Sequence, residues 1–144
     1  MAKTPELEVA YAATTYRVFL PGGMADLRIG QASETLRAWM ETADSECFAV
    51  ITAFNPGSVP RAESINTERQ AQLEIDLLEG NYEPYAAQNI PDAEDAPTEE
   101  SCFVADLAPE DALALAEDYG QLAVVCGGAD GIPALRWVGD APAA

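Results

Sequence analysis

The sequence predicts an α+β (mixed α/β) fold in which a single mixed sheet is flanked by about four helices, in the order αββαβαββαββ. Segments with apolar residues three and four positions apart alternate with short β-branched and aromatic runs, and glycines and prolines separate them. The composition is 49% hydrophobic and 22% charged over 144 residues, which is typical of a globular protein. We therefore expect a single domain over residues 1–144, with its core over about 11–138.

The first predicted elements are a short helix and a β-hairpin. Thr4 is a candidate cap for a helix over residues 6–13, and Pro5 suits its first position. Residues 15–20 are β-branched and aromatic, and residues 24–29 alternate apolar and polar side chains. A Pro-Gly-Gly turn joins these two strands, which indicates a hairpin with one face in water.

The next predicted elements are two helices around a buried strand. Apolar side chains recur three and four positions apart over residues 33–43, which indicates an amphipathic helix. Residues 47–54 are almost all apolar, so other elements should cover both faces of this central strand. A second long helix is predicted from about residue 61 or 64 to residue 79, and Gly80 ends it.

An acidic loop is predicted in the second half of the chain. Residues 81–88 alternate weakly and are a candidate strand. Residues 91–100 carry five acids and two prolines without periodicity, which indicates an exposed acidic loop. A strand over residues 101–107 and a helix over residues 109–119 follow.

The C-terminal part is predicted to be a strand, a glycine-rich turn and a last strand. The strands cover residues 121–126 and 134–138, and the turn covers residues 127–131. No helix follows the glycines, so we do not predict a phosphate-binding loop there. The tail, residues 139–144, is expected to be frayed.

The charge balance excludes several classes of function. The chain has 25 acidic and 7 basic residues, a net charge of −18, and no histidine. Nucleic-acid backbones and anionic membranes are bound by clustered basic residues, so neither is an expected partner. Without histidine, a Ser-His-Asp triad and His-bearing zinc sites are also excluded. We expect no metal site and no cofactor, and the sequence identifies no catalytic residue.

The cysteines and the N-terminus indicate a cytoplasmic location. Cys47, Cys102 and Cys126 each lie inside an apolar run, so we expect all three to be buried and reduced. The N-terminal residues lack the apolar stretch of a signal peptide. No apolar run approaches the roughly 20 residues that cross a bilayer.

A polar cluster around the end of the central strand is the candidate ligand-binding site. The candidate residues are Thr52, Asn55, Ser58, Asn66, Arg69 and Gln70. The first three cluster where the central strand leaves the core, and ligands often lie at the carboxyl ends of strands in α/β sheets. Asn66 and Gln70 continue the inward stripe of Leu73 and Leu77 on the following helix. Inward polar groups need partners or water, so these side chains either line a pocket or tie down the loop, and we favour the second role.

A set of spaced motifs resembles an uncharacterised bacterial family, domain of unknown function 3293. The motifs are Tyr11-x-x-Thr14-x-Tyr16-x-Val18, Ile51-Thr52-Ala53-Phe54-Asn55-Pro56-Gly57-Ser58, Asn66-x-x-Arg69-Gln70, Glu100-Ser101 and Tyr119-Gly120-Gln121-x-Ala123-Val124-Val125. The segment over residues 51–58 is the most specific of these, and the resemblance extends over about residues 11–137. The resemblance implies a compact single domain, and it implies no particular chemistry.

Three functions remain open at this point. The preferred hypothesis is a small acidic cytoplasmic module that binds an unidentified small molecule or protein. The first alternative is an enzyme acting on a nucleotide or phosphorylated metabolite, in which Arg69 would pair with the anion. The second alternative is an acidic mimic of nucleic acid. The acids are spread over helices and one loop rather than clustered, which argues against mimicry.

Overall fold

The computed structural model describes residues 4–139, apart from the side chain of Ser58. Within those residues the predicted element order and the α+β class are confirmed. The helices are α1 (Pro5–Ala12), α2 (Glu34–Ala43), α3 (Glu63–Glu79) and α4 (Pro109–Asp118). The strands are β1 (Thr14–Leu20), β2 (Gly23–Leu27), β3 (Cys47–Ile51), β4 (Pro84–Pro91), β5 (Glu99–Ala105), β6 (Ala123–Gly128) and β7 (Ala134–Trp137). A short 3₁₀ turn, Pro56–Ser58, lies between β3 and α3.

The strands form one sheet in the order β2-β1-β4-β5-β3-β6-β7. Every neighbouring pair is antiparallel, so the sheet is antiparallel throughout rather than mixed. The reason lies in the two helical crossovers, through α3 and through α4. Because β5 lies between β3 and β4, and β3 lies between β5 and β6, each crossover joins strands that do not pair.

The centre of the sheet has a ferredoxin-like, split βαβ arrangement. It consists of β3, α3, β4, β5, α4 and β6, with the strand order β4-β5-β3-β6. The β1–β2 hairpin extends the sheet beyond β4, and β7 extends it beyond β6. This arrangement supports many unrelated functions, so function has to be argued from the site.

The sheet separates two apolar cores, and β3 contributes to both. Ala49 and Ile51 pack on the face that α3 and α4 cover. Phe48 and Val50 pack on the opposite face, which α2 covers. All four side chains are buried. The predicted burial of both faces of this strand is therefore confirmed, although the strand ends at Ile51 rather than at residue 54.

The predicted acidic loop is shorter in the structure than in the sequence analysis. Strand β4 covers Pro84–Pro91 rather than residues 81–88, because the chain first leaves α3 through Asn81, whose φ is 68°. Strand β5 already begins at Glu99, which pairs with Asn89. The acidic loop therefore covers residues 92–98, not 91–100.

The predicted glycine-rich turn begins two residues later than expected, because Gly127 and Gly128 belong to β6. Gly127 lies opposite Phe48 in the sheet. A Cβ atom at Gly127 would lie 2.4 Å from the Phe48 ring, so the ring occupies the space of a side chain. The frayed tail was predicted for residues 139–144, and residues 140–144 lie outside the described part of the chain.

The three cysteines are free, but they differ in exposure. Cys102 and Cys126 are buried, as predicted. Cys47 is only partly buried, so the prediction is wrong for this residue. The difference arises because Cys47 is the first residue of β3, where the strand enters the sheet.

Candidate functional site

Two asparagines fix the loop that follows β3. Asn55 adopts a left-handed backbone conformation, with a φ of 45°, which asparagine tolerates better than most residues. The side-chain oxygen of Asn66, buried on α3, accepts from the backbone N–H of Asn55 at 2.9 Å. The Asn66 amide donates to the Asn55 side-chain oxygen at 2.7 Å. That oxygen also accepts from the Arg61 backbone N–H at 3.0 Å. The pair therefore holds both ends of the loop.

Gln70 and Thr52 fix the start of the same loop. The Gln70 side-chain oxygen accepts from the Ala53 backbone N–H at 2.9 Å, and its amide donates to the Cys102 sulfur at 3.2 Å. The Thr52 hydroxyl donates to the Glu100 carbonyl at 2.6 Å. These bonds satisfy polar groups that would otherwise be buried without partners.

Arg69 is committed to backbone carbonyls rather than to an anion. Its Nε donates to the Ala53 carbonyl at 3.2 Å, and its Nη2 donates to the Tyr119 carbonyl at 2.6 Å. The guanidinium carbon lies 5.6 Å from the centre of the Tyr119 ring, which is cation–π geometry. The Tyr119 hydroxyl in turn donates to Asp76. Arg69 thus joins α3 to the loop that follows β3 and to the residue that follows α4.

The structure brings five of the six predicted site residues together around this loop, and the side chain of Ser58 lies outside the described part. Asn66, Arg69 and Gln70 face the loop and the core. Only Thr52 and Asn55 also line a cavity. The polar cluster therefore stabilises one wall of a cavity, and this cavity was not predicted from the sequence.

This cavity has a volume of about 450 Å³ and lies between α1, the loop over residues 92–98 and the sheet. Its walls are mainly apolar. Leu7 and Ala10 of α1 form one side, Pro97 of the loop forms another, and Val50 and Val125 of the sheet form the floor. A volume of this size falls in the usual range for small-molecule pockets.

A half-buried carboxyl group lies in the lining of the cavity. Glu99 lines it, and the Asn55 amide donates to the Glu99 Oε2 atom at 2.8 Å. Burial raises the pKa of the Glu99 carboxyl, and the Asn55 hydrogen bond lowers it in part. Within residues 4–139 we find no hydrogen-bond partner for the second oxygen, Oε1. The cavity therefore contains a carboxyl group whose charged form is disfavoured by burial.

Two tyrosines and a glutamine of the cavity were missed as site residues. The Tyr16 hydroxyl donates to the Tyr11 carbonyl at 3.1 Å, and both residues line the cavity. Burial raises the pKa of the Tyr16 hydroxyl, so it stays neutral. Gln121 donates to the Phe54 carbonyl at 2.9 Å and also lines the cavity. The signal for these three residues in the sequence is that they belong to the spaced motifs.

The arrangement is that of a split βαβ domain with a pocket, and the comparisons place it in a family. The model of the family "Protein of unknown function (DUF3293)" matches residues 51–124, just over half of the chain. The chain belongs to this family, which the motifs also indicated. No curated protein and no solved structure matches the chain. The matched region contains the loop after β3, Glu99 and Gln121, whereas α1 and β1 lie before it.

Two other findings concern metals and membranes. Among residues 4–139 there is no group of three or more acidic or cysteine side chains placed to hold a metal ion. In the same part of the chain, each helix is too short or too polar to cross a membrane.

Proposed function

We propose that this protein is a small-molecule-binding domain whose ligand occupies the cavity between α1, the loop over residues 92–98 and the sheet. The single observation that carries the proposal is the cavity itself, with its volume of about 450 Å³. Pockets with mainly apolar walls and a few fixed polar groups are the usual form of ligand sites. Here the fixed polar groups are Asn55 and Glu99 in a mainly apolar lining.

The rigid support around these polar groups favours this proposal. Asn55 is held by Asn66, and the loop that carries it is held by Gln70 and Arg69. A binding group that is fixed before the ligand arrives loses little conformational entropy on binding. In this proposal the polar cluster has two roles: it fixes the loop, and it presents Asn55 to the cavity.

The alternative of an enzyme acting on a phosphorylated substrate has less support. Arg69 donates to two backbone carbonyls instead of facing the cavity. No lysine or arginine is among the described residues that line the cavity. A phosphate group would there meet a carboxylate without a compensating cation, which is unfavourable.

A thermal-shift screen over metabolites, nucleotides and divalent metals tests the proposal. A compound that binds the folded state raises the melting temperature by mass action. Hits are then compared in two variants of α1, Ala10→Trp and Ala12→Trp. Ala10 lines the cavity, whereas Ala12 is exposed and does not line it.

We expect Ala10→Trp to abolish the thermal shift and Ala12→Trp to retain it, because of these two positions only residue 10 lines the cavity, where an indole would take up the volume of a ligand. Amide chemical shifts in an NMR titration should move at Tyr11 and Gln121, which line the cavity from different elements. Hits that stabilise both variants equally, or that shift only residues outside the cavity, would disprove the proposed function.

A further inference from the structure

We infer that the ligand of this cavity carries a positive charge, as an ammonium or another protonated nitrogen on an apolar body, and that Glu99 is its counter-ion. This inference rests on the proposed function and specifies the chemical class of its ligand. Within residues 4–139 the cavity lining contains one acidic side chain, Glu99, and is otherwise neutral, so a single cationic group attached to apolar carbon fits it.

The hydrogen bonding of Glu99 supports this assignment. Asn55 holds the Oε2 atom at 2.8 Å and so fixes the direction of the carboxylate. Of the described side chains, none donates to the Oε1 atom, which remains able to accept a hydrogen bond from a ligand. A charge-assisted hydrogen bond to an ammonium is the strongest bond that such an oxygen can form.

The charges around the cavity also favour a cation. The titratable side chains in the described part of its lining are Glu99, Tyr11 and Tyr16. The nearby Arg28 is bound to Asp92 through two hydrogen bonds of 2.7 and 3.0 Å, so its charge is compensated. Among the described residues that line the cavity, no basic side chain therefore competes with a ligand for Glu99.

The acidic residues of the neighbouring loop and the tyrosines of the cavity lining also favour a cationic ligand. Ala93 and Ala96 line the cavity, and the acidic residues between them, Glu94 and Asp95, are exposed. Acidic side chains on a loop beside a pocket raise the local concentration of cations. Tyr11 and Tyr16 add aromatic rings, whose faces attract an ammonium group.

Three probes with the same phenyl body and different charges test the inference: phenethylamine, phenethyl alcohol and phenylacetate. Binding is measured by NMR titration at neutral pH, following the amides of Tyr11 and Gln121. We expect phenethylamine to bind about tenfold more tightly than the alcohol, and phenylacetate to bind most weakly.

Two matched variants test whether Glu99 causes the preference for the amine. Glu99→Gln removes the charge from the cavity and keeps an oxygen that can accept from Asn55. Glu100→Gln removes one charge from the neighbouring residue, which lines a different depression. We expect Glu99→Gln to lose the preference for the amine and Glu100→Gln to retain it.

The outcomes separate the two proposals. If the probes bind in the cavity without a preference for the amine, or if Glu99→Gln retains that preference, the cationic ligand is disproved while the proposed function stands. If no probe shifts the cavity amides, the inference for amines of this size is wrong. The proposed function is then decided by the comparison of Ala10→Trp with Ala12→Trp in the broader screen.

Discussion

Asn66 holds Asn55 through two hydrogen bonds, one to its backbone N–H at 2.9 Å and one to its side-chain oxygen at 2.7 Å. Asn66 is buried on α3, whereas Asn55 is a half-buried loop residue with a left-handed backbone. One side chain therefore determines the conformation of the residue that in turn orients Glu99.

The first prediction is that Asn66→Ala lowers the free energy of unfolding by about 1–3 kcal/mol, because it leaves buried polar groups of the loop without partners. Urea unfolding provides the measurement, with Glu68→Ala on the exposed side of the same helix as the control. An Asn66→Ala protein with the wild-type urea midpoint would contradict a structural role for this side chain.

The second prediction concerns pH. The pKa of Glu99 lies above its ordinary value of 4.5 in the folded state, mainly because of burial. The folded protein therefore binds the proton of Glu99 more tightly than the unfolded chain does. The free energy of unfolding consequently falls as the pH rises from the ordinary pKa through the pKa of the folded state. Glu99→Gln should remove this contribution to the pH dependence and raise the urea midpoint at neutral pH. Glu100→Gln serves as the control, and a lower midpoint for Glu99→Gln than for the wild type would show that the carboxylate stabilises the fold.

The third prediction is that one cysteine, Cys47, reacts with a thiol reagent in the native protein. Burial raises the pKa of Cys102 to about 12 and that of Cys126 to about 11, and both side chains are inaccessible. Burial and the nearby Asp106 also raise the pKa of Cys47, so its reaction should be slow at neutral pH, but reagent can reach it. Mass spectrometry should find a single label, and Cys47→Ser should abolish it. Rapid labelling of Cys102 or Cys126 would show that the sheet opens.

The fourth prediction is that Gly127→Ala destabilises the protein by about 1–3 kcal/mol, the usual cost of overpacking a core. The new Cβ would lie 2.4 Å from the Phe48 ring and 2.7 Å from the Ile132 carbonyl oxygen, so both the ring and the backbone have to move. Gly23→Ala is the matched control, because no atom lies within 4 Å of a Cβ there. Equal melting temperatures for the two variants would mean that Phe48 relocates at no cost.

The sequence predicted the elements well where a local pattern reports burial. The spacing of Leu36 and Met40 identified α2, and the apolar run over residues 47–54 identified a strand covered on both faces. The position of β4 was less predictable, because the bonds that define it come from β1 and β5 rather than from its own weak alternation.

Only part of the candidate site could be predicted, because a local sequence pattern connects only residues on neighbouring elements. Asn55 and Asn66 are eleven residues apart on adjacent elements, and an inward-facing amide was enough to connect them. Tyr11 and Glu99 are far apart in the chain and line the same cavity only in the folded protein, so no local pattern could connect them. The packing of the Phe48 ring on Gly127 could not be predicted either, because a pair of glycines in a sequence usually indicates a turn.

Helix α1 has no buried residue, yet Leu7, Ala10 and Tyr11 line the cavity. The Tyr11 ring packs edge-on against Trp137 of β7, with ring centres 5.5 Å apart, but α3 has four buried residues where α1 has none, so less packing energy holds α1 to the sheet. We expect the amides of α1 to exchange with deuterium sooner than those of α3, which packs on the sheet through Leu73 and Leu77. A bound ligand would supply the missing contact surface, so the exchange rate of this helix would report how much of the protein is occupied.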